Sequence, residues 1–408
     1  LARIVVLGTG FAGLWSAIGA ARKLDELGMR DGSVEVVAIN ARKHHSIRVR
    51  NYEADLGETL VPLSDVLDPI GVRWIEGAVS GIDVASRSIA IRAQGAVRPQ
   101  SLAYDRLVVA LGSRLVHPPI PGLAEHAFDV DTYEGALRLE AHLRALPLLA
   151  PSAGRYTAVV VGAGLTGVEI AAELPARLGG IAGEGGGRAV RVILADRNAK
   201  IGQAMGGAQP VIERAMNALG VDLMPNASLK SVEANGIECV DGERIDAATV
   251  IWCGGMRANP LTEQIPVERD AAGRLFVDAF MRVEGVPGVF AAGDCAHALI
   301  DGVRPSVMSC QHGRPMGRYA GHNVVCDLLG LEMLRLHIDW YTTILDLGPW
   351  GAVYTEGWDR HLVAEGDAAK RTKRIINGER IYPPRTRVRE EILAAAAPVV
   401  QAPPPRGA

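Results

Sequence analysis

Arg3-Ile-Val-Val-Leu7 runs directly into Gly8-Thr-Gly10-Phe-Ala-Gly13, and the pattern returns at Thr157-Ala-Val-Val-Val161 followed by Gly162-Ala-Gly164-Leu-Thr-Gly167. In each copy a β-branched run precedes three glycines at Gly-x-Gly-x-x-Gly spacing, and a helical stretch follows. One such fingerprint is a weak signal; two, each in a strand–turn–helix context, specify the fold. The first glycine makes a tight turn, the second lets the backbone approach a pyrophosphate, and the third lets helix pack on strand. The helix N-terminus then faces the phosphate charge. Two such sites imply two dinucleotides, and a chain holding two has the means to pass electrons between them.

The rest of the composition fits a multidomain enzyme. At 408 residues the chain is too long for one core. A net charge of −3 gives no reason to expect nucleic acid as a partner. The five cysteines (Cys239, Cys253, Cys295, Cys310, Cys326) form no close pair. They point to a reducing, cytoplasmic setting rather than a disulfide framework. No run reaches the ~18 to 20 apolar residues of a membrane span, and the apolar start reads as a first strand rather than a signal peptide. His44 and His45 are adjacent, and neighbours on a strand face opposite sides, so no metal site is expected.

Working outward from the fingerprints, the α/β reading is of two Rossmann-like dinucleotide-binding domains, the first interrupted by the second, plus a small α+β C-terminal domain. Residues 1–118 and 276–330 form the first domain, 119–275 the second, 331–390 the third, and 391–408 a flexible tail. Strands are expected at Val34–Ile39, Leu107–Leu111, Val190–Leu194 and Thr249–Trp252. Pro175 should kink or end the helix after the second fingerprint, and Gly183–Gly187 reads as a flexible loop. Trp340, Trp350 and Trp358 fall in strand-like runs. The basic stretch Ala368-Ala-Lys-Arg-Thr-Lys-Arg-Ile-Ile376 reads as a solvated helix face, with contact to an anionic membrane surface as the other reading.

Four motifs together resemble the two-dinucleotide flavoproteins of the pyridine nucleotide–disulfide oxidoreductase superfamily, and within it the type II NADH dehydrogenases. They are the first fingerprint, Tyr104-Asp-Arg-Leu-Val-Val-Ala-Leu-Gly112, the second fingerprint with Val168-Glu169, and Gly288-Val-Phe-Ala-Ala-Gly-Asp294. The resemblance puts FAD on the first fingerprint and NADH on the second. It assigns to FAD Gly8, Gly10, Phe11, Ala12, Gly13, Asn40, Ala41, Arg42, Val79, Ala110, Leu111, Gly112, Gly293, Asp294, Cys310 and Gln311. Asn40 stands where a ribose-binding carboxylate is usual, so it brings hydrogen bonds without charge.

For the nicotinamide dinucleotide the resemblance implies Gly162, Gly164, Leu165, Thr166, Gly167, Glu169, Asp196, Arg197 and Gly254. Asp196 would accept from a ribose 2′-hydroxyl and repel a 2′-phosphate, which favours NADH. Arg197 beside it keeps NADPH open. Glu169 and Gln311 are the candidate catalytic residues, at the nicotinamide–flavin face and near the acceptor. Cys310 opens a helix, where a thiol can be reactive, yet no second cysteine lies near it, so it reads as a small buried residue. The implied partners are a quinone acceptor, a second copy of the chain in a homodimer, and peripheral contact with the inner face of a membrane. Two alternatives stay open: a soluble reductase serving a partner protein or a specialised small molecule, and a non-enzymatic, NADH-regulated flavoprotein.

Overall fold

A computed structural model describes residues 1–29, 32–93, 95–186 and 190–406. The first sheet has five parallel strands in the order Val289–Ala291, Arg106–Val109, Ala2–Leu7, Val34–Asn40, Arg73–Glu76. The second has four parallel strands, ordered Val221–Met224, Arg191–Ala195, Thr157–Val161, Thr249–Trp252. Both are built from near-continuous apolar runs, because helices cover both faces of a parallel sheet. Ile4, Val5, Val6 and Leu7 are wholly buried, as are Val159 and Val160. Each central strand delivers its glycine turn to the carboxyl edge of its sheet.

Helix α1 (Phe11–Glu26) follows the first turn, α2 (Leu165–Gly186) the second, and α3 (Cys310–Leu329) closes the first domain. Helices α1 and α3 pack almost backbone to backbone: a Cβ on Gly317 would lie 2.3 Å from the Ala12 carbonyl oxygen, and one on Gly321 2.2 Å from that of Ser16. The chain leaves and re-enters the first domain through two short strands, Ser113–Leu115 and Met256–Ala258, which pair antiparallel. Ala258, Ile265 and Leu275 already belong to the first core, so the return comes some 20 residues before the expected 276. A three-stranded antiparallel sheet (Thr342–Asp346, Ala352–Glu356, His361–Glu365) and α4 (Gly366–Ile375) form the C-terminal unit.

Several expectations are corrected. Pro175 does not end α2: the helix runs through it, and its backbone departs from helical geometry only at Gly183. Packing of Ala171, Ala172, Leu174 and Leu178 in the second core outweighs the lost hydrogen bond. Gly183 to Gly186 therefore belong to the end of α2 rather than to a loop, and Gly187 lies outside the described residues. Trp340, Trp350 and Trp358 flank the C-terminal strands rather than lying in them.

Nor do the described residues of the expected tail, 391–406, hang loose. Helix α5 (Arg389–Ala395) buries Ile392 and Leu393 in the first core. Beyond it, the carbonyls of Val399, Pro404 and Pro405 accept hydrogen bonds from Arg318, Tyr354 and Thr372, and Arg406 pairs with Glu356. Low sequence complexity concealed this because proline carbonyls remain good acceptors.

Candidate active site

The two glycine turns have the same internal geometry. A Cβ on Gly13 would lie 1.9 Å from the Gly8 carbonyl oxygen, and one on Gly167 1.7 Å from that of Gly162. Any side chain at the third glycine would thus push the helix off its turn. The second glycines differ: a Cβ on Gly10 or Gly164 would meet nothing within 4 Å. Protein packing does not demand glycine there; close approach of a pyrophosphate to the backbone would. No side chain caps α1 at Gly10 and its first turn carries no acidic residue, so its leading N–H groups are available to an anion.

The residues ending the second strand of each unit also share one job. Thr9 N donates to Asn40 Oδ1 at 3.1 Å, and Ala163 N donates to Asp196 Oδ2 at 2.6 Å. Asn40 Nδ2 further donates to the carbonyls of Arg42 (2.7 Å) and His44 (3.3 Å), whereas Asp196 Oδ1 accepts from Asn198 N (2.8 Å). Both turns donate to their residue, but the loop after the first strand faces Asn40 with carbonyl acceptors, whereas the loop after the second faces Asp196 with a backbone N–H. That difference explains an amide at 40 and a carboxylate at 196.

A cavity of about 1080 Å³ runs from the first turn across the carboxyl edge of the first sheet to the C-terminal unit. It exceeds a typical single small-molecule pocket. Of the sequence-predicted residues it gathers Gly10, Phe11, Ala12, Asn40, Ala41, Arg42, Ala110, Leu111, Gly112, Gly293, Asp294, Cys310 and Gln311, with Leu165, Thr166 and Glu169 from the second unit. Gly8 and Gly13 lie behind its wall as turn residues. Gly162, Gly164, Gly167, Asp196, Arg197 and Gly254 cluster at the second turn, outside it. Gly254 has a protein reason to be glycine, since a Cβ there would lie 2.6 Å from the Trp252 ring. Val79 does not reach the site: it sits in the antiparallel sheet of Ala78–Asp83, packed against the first core.

Asp294 is held at the cavity by Ser113 Oγ, which donates to Oδ2 at 2.6 Å, and by Arg48, 3.8 Å away; burial pushes its carboxyl up. Gln311, in the first turn of α3, accepts from Thr342 N (3.3 Å) and Thr342 Oγ1 (3.1 Å). Ser309, which precedes α3, makes no cap, and its buried Oγ has no partner. Burial raises the Cys310 thiol, so the helix N-terminus does not yield a reactive thiolate there. His45 is buried with Nδ1 2.8 Å from the Thr9 carbonyl, and burial lowers it to about 4. Among the described residues, no cluster of three or more His, Cys, Asp or Glu is placed to hold a metal ion.

The residue that sequence reasoning missed is Lys373. One side of the basic stretch is not solvated: Lys373 Nζ lies 2.7 Å from Glu169 Oε1 and 3.1 Å from the Ile344 carbonyl, deep in the cavity wall. Asp346 N also donates to Glu169 Oε1, at 3.1 Å. Burial pushes the Glu169 carboxyl up, and Lys373 offsets only part of that rise. Lys370 turns inward in the same way, onto Asp346, while Arg371 and Arg374 face outward. The i,i+3 spacing of Lys370 and Lys373 beside Ala369 and Thr372 was the available signal for a buried cationic stripe.

Comparison with known proteins gives the same frame. An NADH dehydrogenase-like protein of Mycobacterium tuberculosis is 54% identical over 405 residues, covering 98% of this chain and 99% of that one. A type II NADH:quinone oxidoreductase of the same organism is 29% identical over 358 residues, covering 80% and 73%. The solved structure of NDH2 from Plasmodium falciparum in complex with NADH superposes with a TM-score of 0.77 over 97% of both chains at 13% identity, a likeness of fold. Residues 2–317 match the family described as pyridine nucleotide-disulphide oxidoreductase. With both glycine turns, the interrupted first domain and a near-full-length relative in agreement, the chain belongs to the pyridine nucleotide-disulphide oxidoreductase family and is an oxidoreductase.

Proposed function

We propose that the protein is a flavoenzyme that oxidises NADH and reduces a quinone-type acceptor, with FAD on the first turn and NADH on the second. The observation that carries this reading is the meeting, in one cavity, of the first glycine turn, the α3 N-terminus with Gln311, and the buried Glu169–Lys373 pair. Bound FAD supplies the two-electron relay between donor and acceptor. Gly10 to Ala12 would bind its pyrophosphate through backbone N–H groups, and Asp294 would hold its ribityl chain. The N-terminus of α3 aims positive potential into the cavity and favours negative charge there.

The proton balance gives the pair its role. Reduction of a quinone by NADH consumes one proton beyond the hydride, and an acid in the cavity wall can relay it to the acceptor. Glu169, a buried carboxyl raised by burial with a lysine ammonium at 2.7 Å, is suited to hold and hand on a proton. A carboxylate at Asp196 would accept from a ribose 2′-hydroxyl and repel a 2′-phosphate, which supports NADH over NADPH. The test is anaerobic steady-state NADH oxidation with and without a short-chain naphthoquinone. Quinone-dependent turnover that falls about 100-fold or more in Glu169→Gln is expected; turnover indifferent to quinone would remove the reading. No helix among the described residues is long and apolar enough to cross a membrane.

A further inference from the structure

One face of α3 carries two buried cations that the electron path does not use. Arg314 and Arg318 lie one turn apart, 7% and 2% exposed. Both guanidinium groups lie over the ring of Trp15 on α1, at 5.2 Å and 4.4 Å. The Nε of each has no hydrogen-bond partner, and no carboxylate lies in ion-pair reach of either among the described residues. Burial lowers Arg314 to about 10 and Arg318 to about 9. Both line the cavity where it passes beneath the C-terminal segment, whose Val399 carbonyl accepts from Arg318. Arg380 lines the same lobe, and Ile376, Ile381 and Val400 give it apolar walls.

Burying a cation without a counter-charge is costly, and two side by side raise each other's cost. Such a pair persists where an anion completes it. The phosphates of FAD already have their cradle in the leading N–H groups of α1. Arg314, by contrast, faces the lobe walled by Arg380 and the C-terminal segment. We propose that this lobe receives the electron acceptor and that the acceptor carries an anionic group, a carboxylate or sulfonate on an aromatic quinone-type ring, bound by Arg314 with Arg318 behind it. The proposal rests on the acceptor reading above and narrows it to a substrate class.

The experiment uses FAD-loaded enzyme, reduced by NADH without oxygen and reoxidised by 1,4-naphthoquinone or by its 2-sulfonate. The ratio of kcat/KM for the sulfonated over the neutral quinone is compared between wild type and Arg314→Met. Loss of a charge-assisted contact predicts that this ratio falls about 10- to 100-fold, while Arg314→Lys retains part of it. A merely structural arginine would lower both rates together and leave the ratio in place, which overturns the proposal. So does loss of FAD in proportion to the lost cation, because Arg314 would then serve the cofactor. Should neither quinone reoxidise an enzyme that NADH has bleached, the acceptor reading itself fails; good turnover with an unchanged ratio sinks only the anionic class. If Arg314→Met does not fold, binding of naphthalene-2-sulfonate and of 2-naphthol to the wild type, read from the flavin absorbance, decides. At least tenfold tighter binding of the sulfonate supports the proposal, and equal binding overturns it.

Discussion

Replacing Lys373 by Met tests the buried pair quantitatively. The substitution keeps most of the side-chain volume and leaves Glu169 as a buried carboxyl without its cation. Breaking such a pair costs about 3 to 5 kcal/mol if the remaining charge must stay ionised. Glu169 has a way out, because it can take a proton. Its ordinary value is 4.5, so protonation at pH 7 costs at most about 3.4 kcal/mol, from 1.36 kcal/mol for each of the 2.5 pH units. For 408 residues, an unfolding entropy of about 2.1 cal/mol/K per residue turns this into a melting-temperature drop of about 4 °C.

The pH dependence carries the test. A carboxyl whose folded value is raised binds more protons folded than unfolded, so stability falls as pH rises from 4.5 towards the folded value. The lysine holds that rise in check, and its removal extends the window towards neutrality. The penalty of Lys373→Met therefore grows with pH from 5 to 7. Near pH 4 it is small or reversed, because Glu169 is protonated in both proteins and the variant no longer buries an ammonium. Melting of the FAD-loaded protein, followed by flavin fluorescence across that range, measures it. A penalty that does not vary with pH would refute the pairing, as would failure of Glu169→Gln to rescue the variant.

The glycine turns predict opposite outcomes for neighbouring substitutions. Gly13→Ala brings a methyl to 1.9 Å from the Gly8 carbonyl and should not yield soluble folded protein. Gly10→Ala enters open space and should fold, with FAD retention reduced on gel filtration. Asn40→Asp installs the more usual carboxylate but sets it against the carbonyls of Arg42 and His44. It should weaken FAD binding by about 1 to 3 kcal/mol in a fluorescence titration, and tighter binding would contradict the account of the turn. Ending the chain at Ala396 removes the cover provided by Val399 to Arg406. NADH oxidation by dioxygen, followed as peroxide release, should then rise, because water and oxygen gain access to the lobe.

What the sequence disclosed is what is local. Each fingerprint is written in a dozen consecutive residues, and the geometry of Gly13 and Gly167 depends on little beyond them. Asp294 and Gln311 came from short motifs beside strand and helix ends, and both line the cavity. Glu169 was singled out, but its partner lies 204 positions away, in a run whose charge suggested solvent. Asn40 was readable as a departure, though not its reason, which lies in carbonyls aimed by a loop. Arg314 and Arg318 were passed over because burial, rather than residue type, makes an arginine informative. The Pro/Ala-rich C-terminus misled for a related reason: it is held by main-chain carbonyls and one exposed ion pair, which leave no apolar periodicity to read.

The central claim is an electron path from the second turn to the first. Anaerobic titration of the purified protein with NADH, followed through the flavin absorbance at about 450 nm, tests it most directly. With that path intact, about one equivalent of NADH bleaches the flavin. A yellow protein that NADH does not bleach would contradict it.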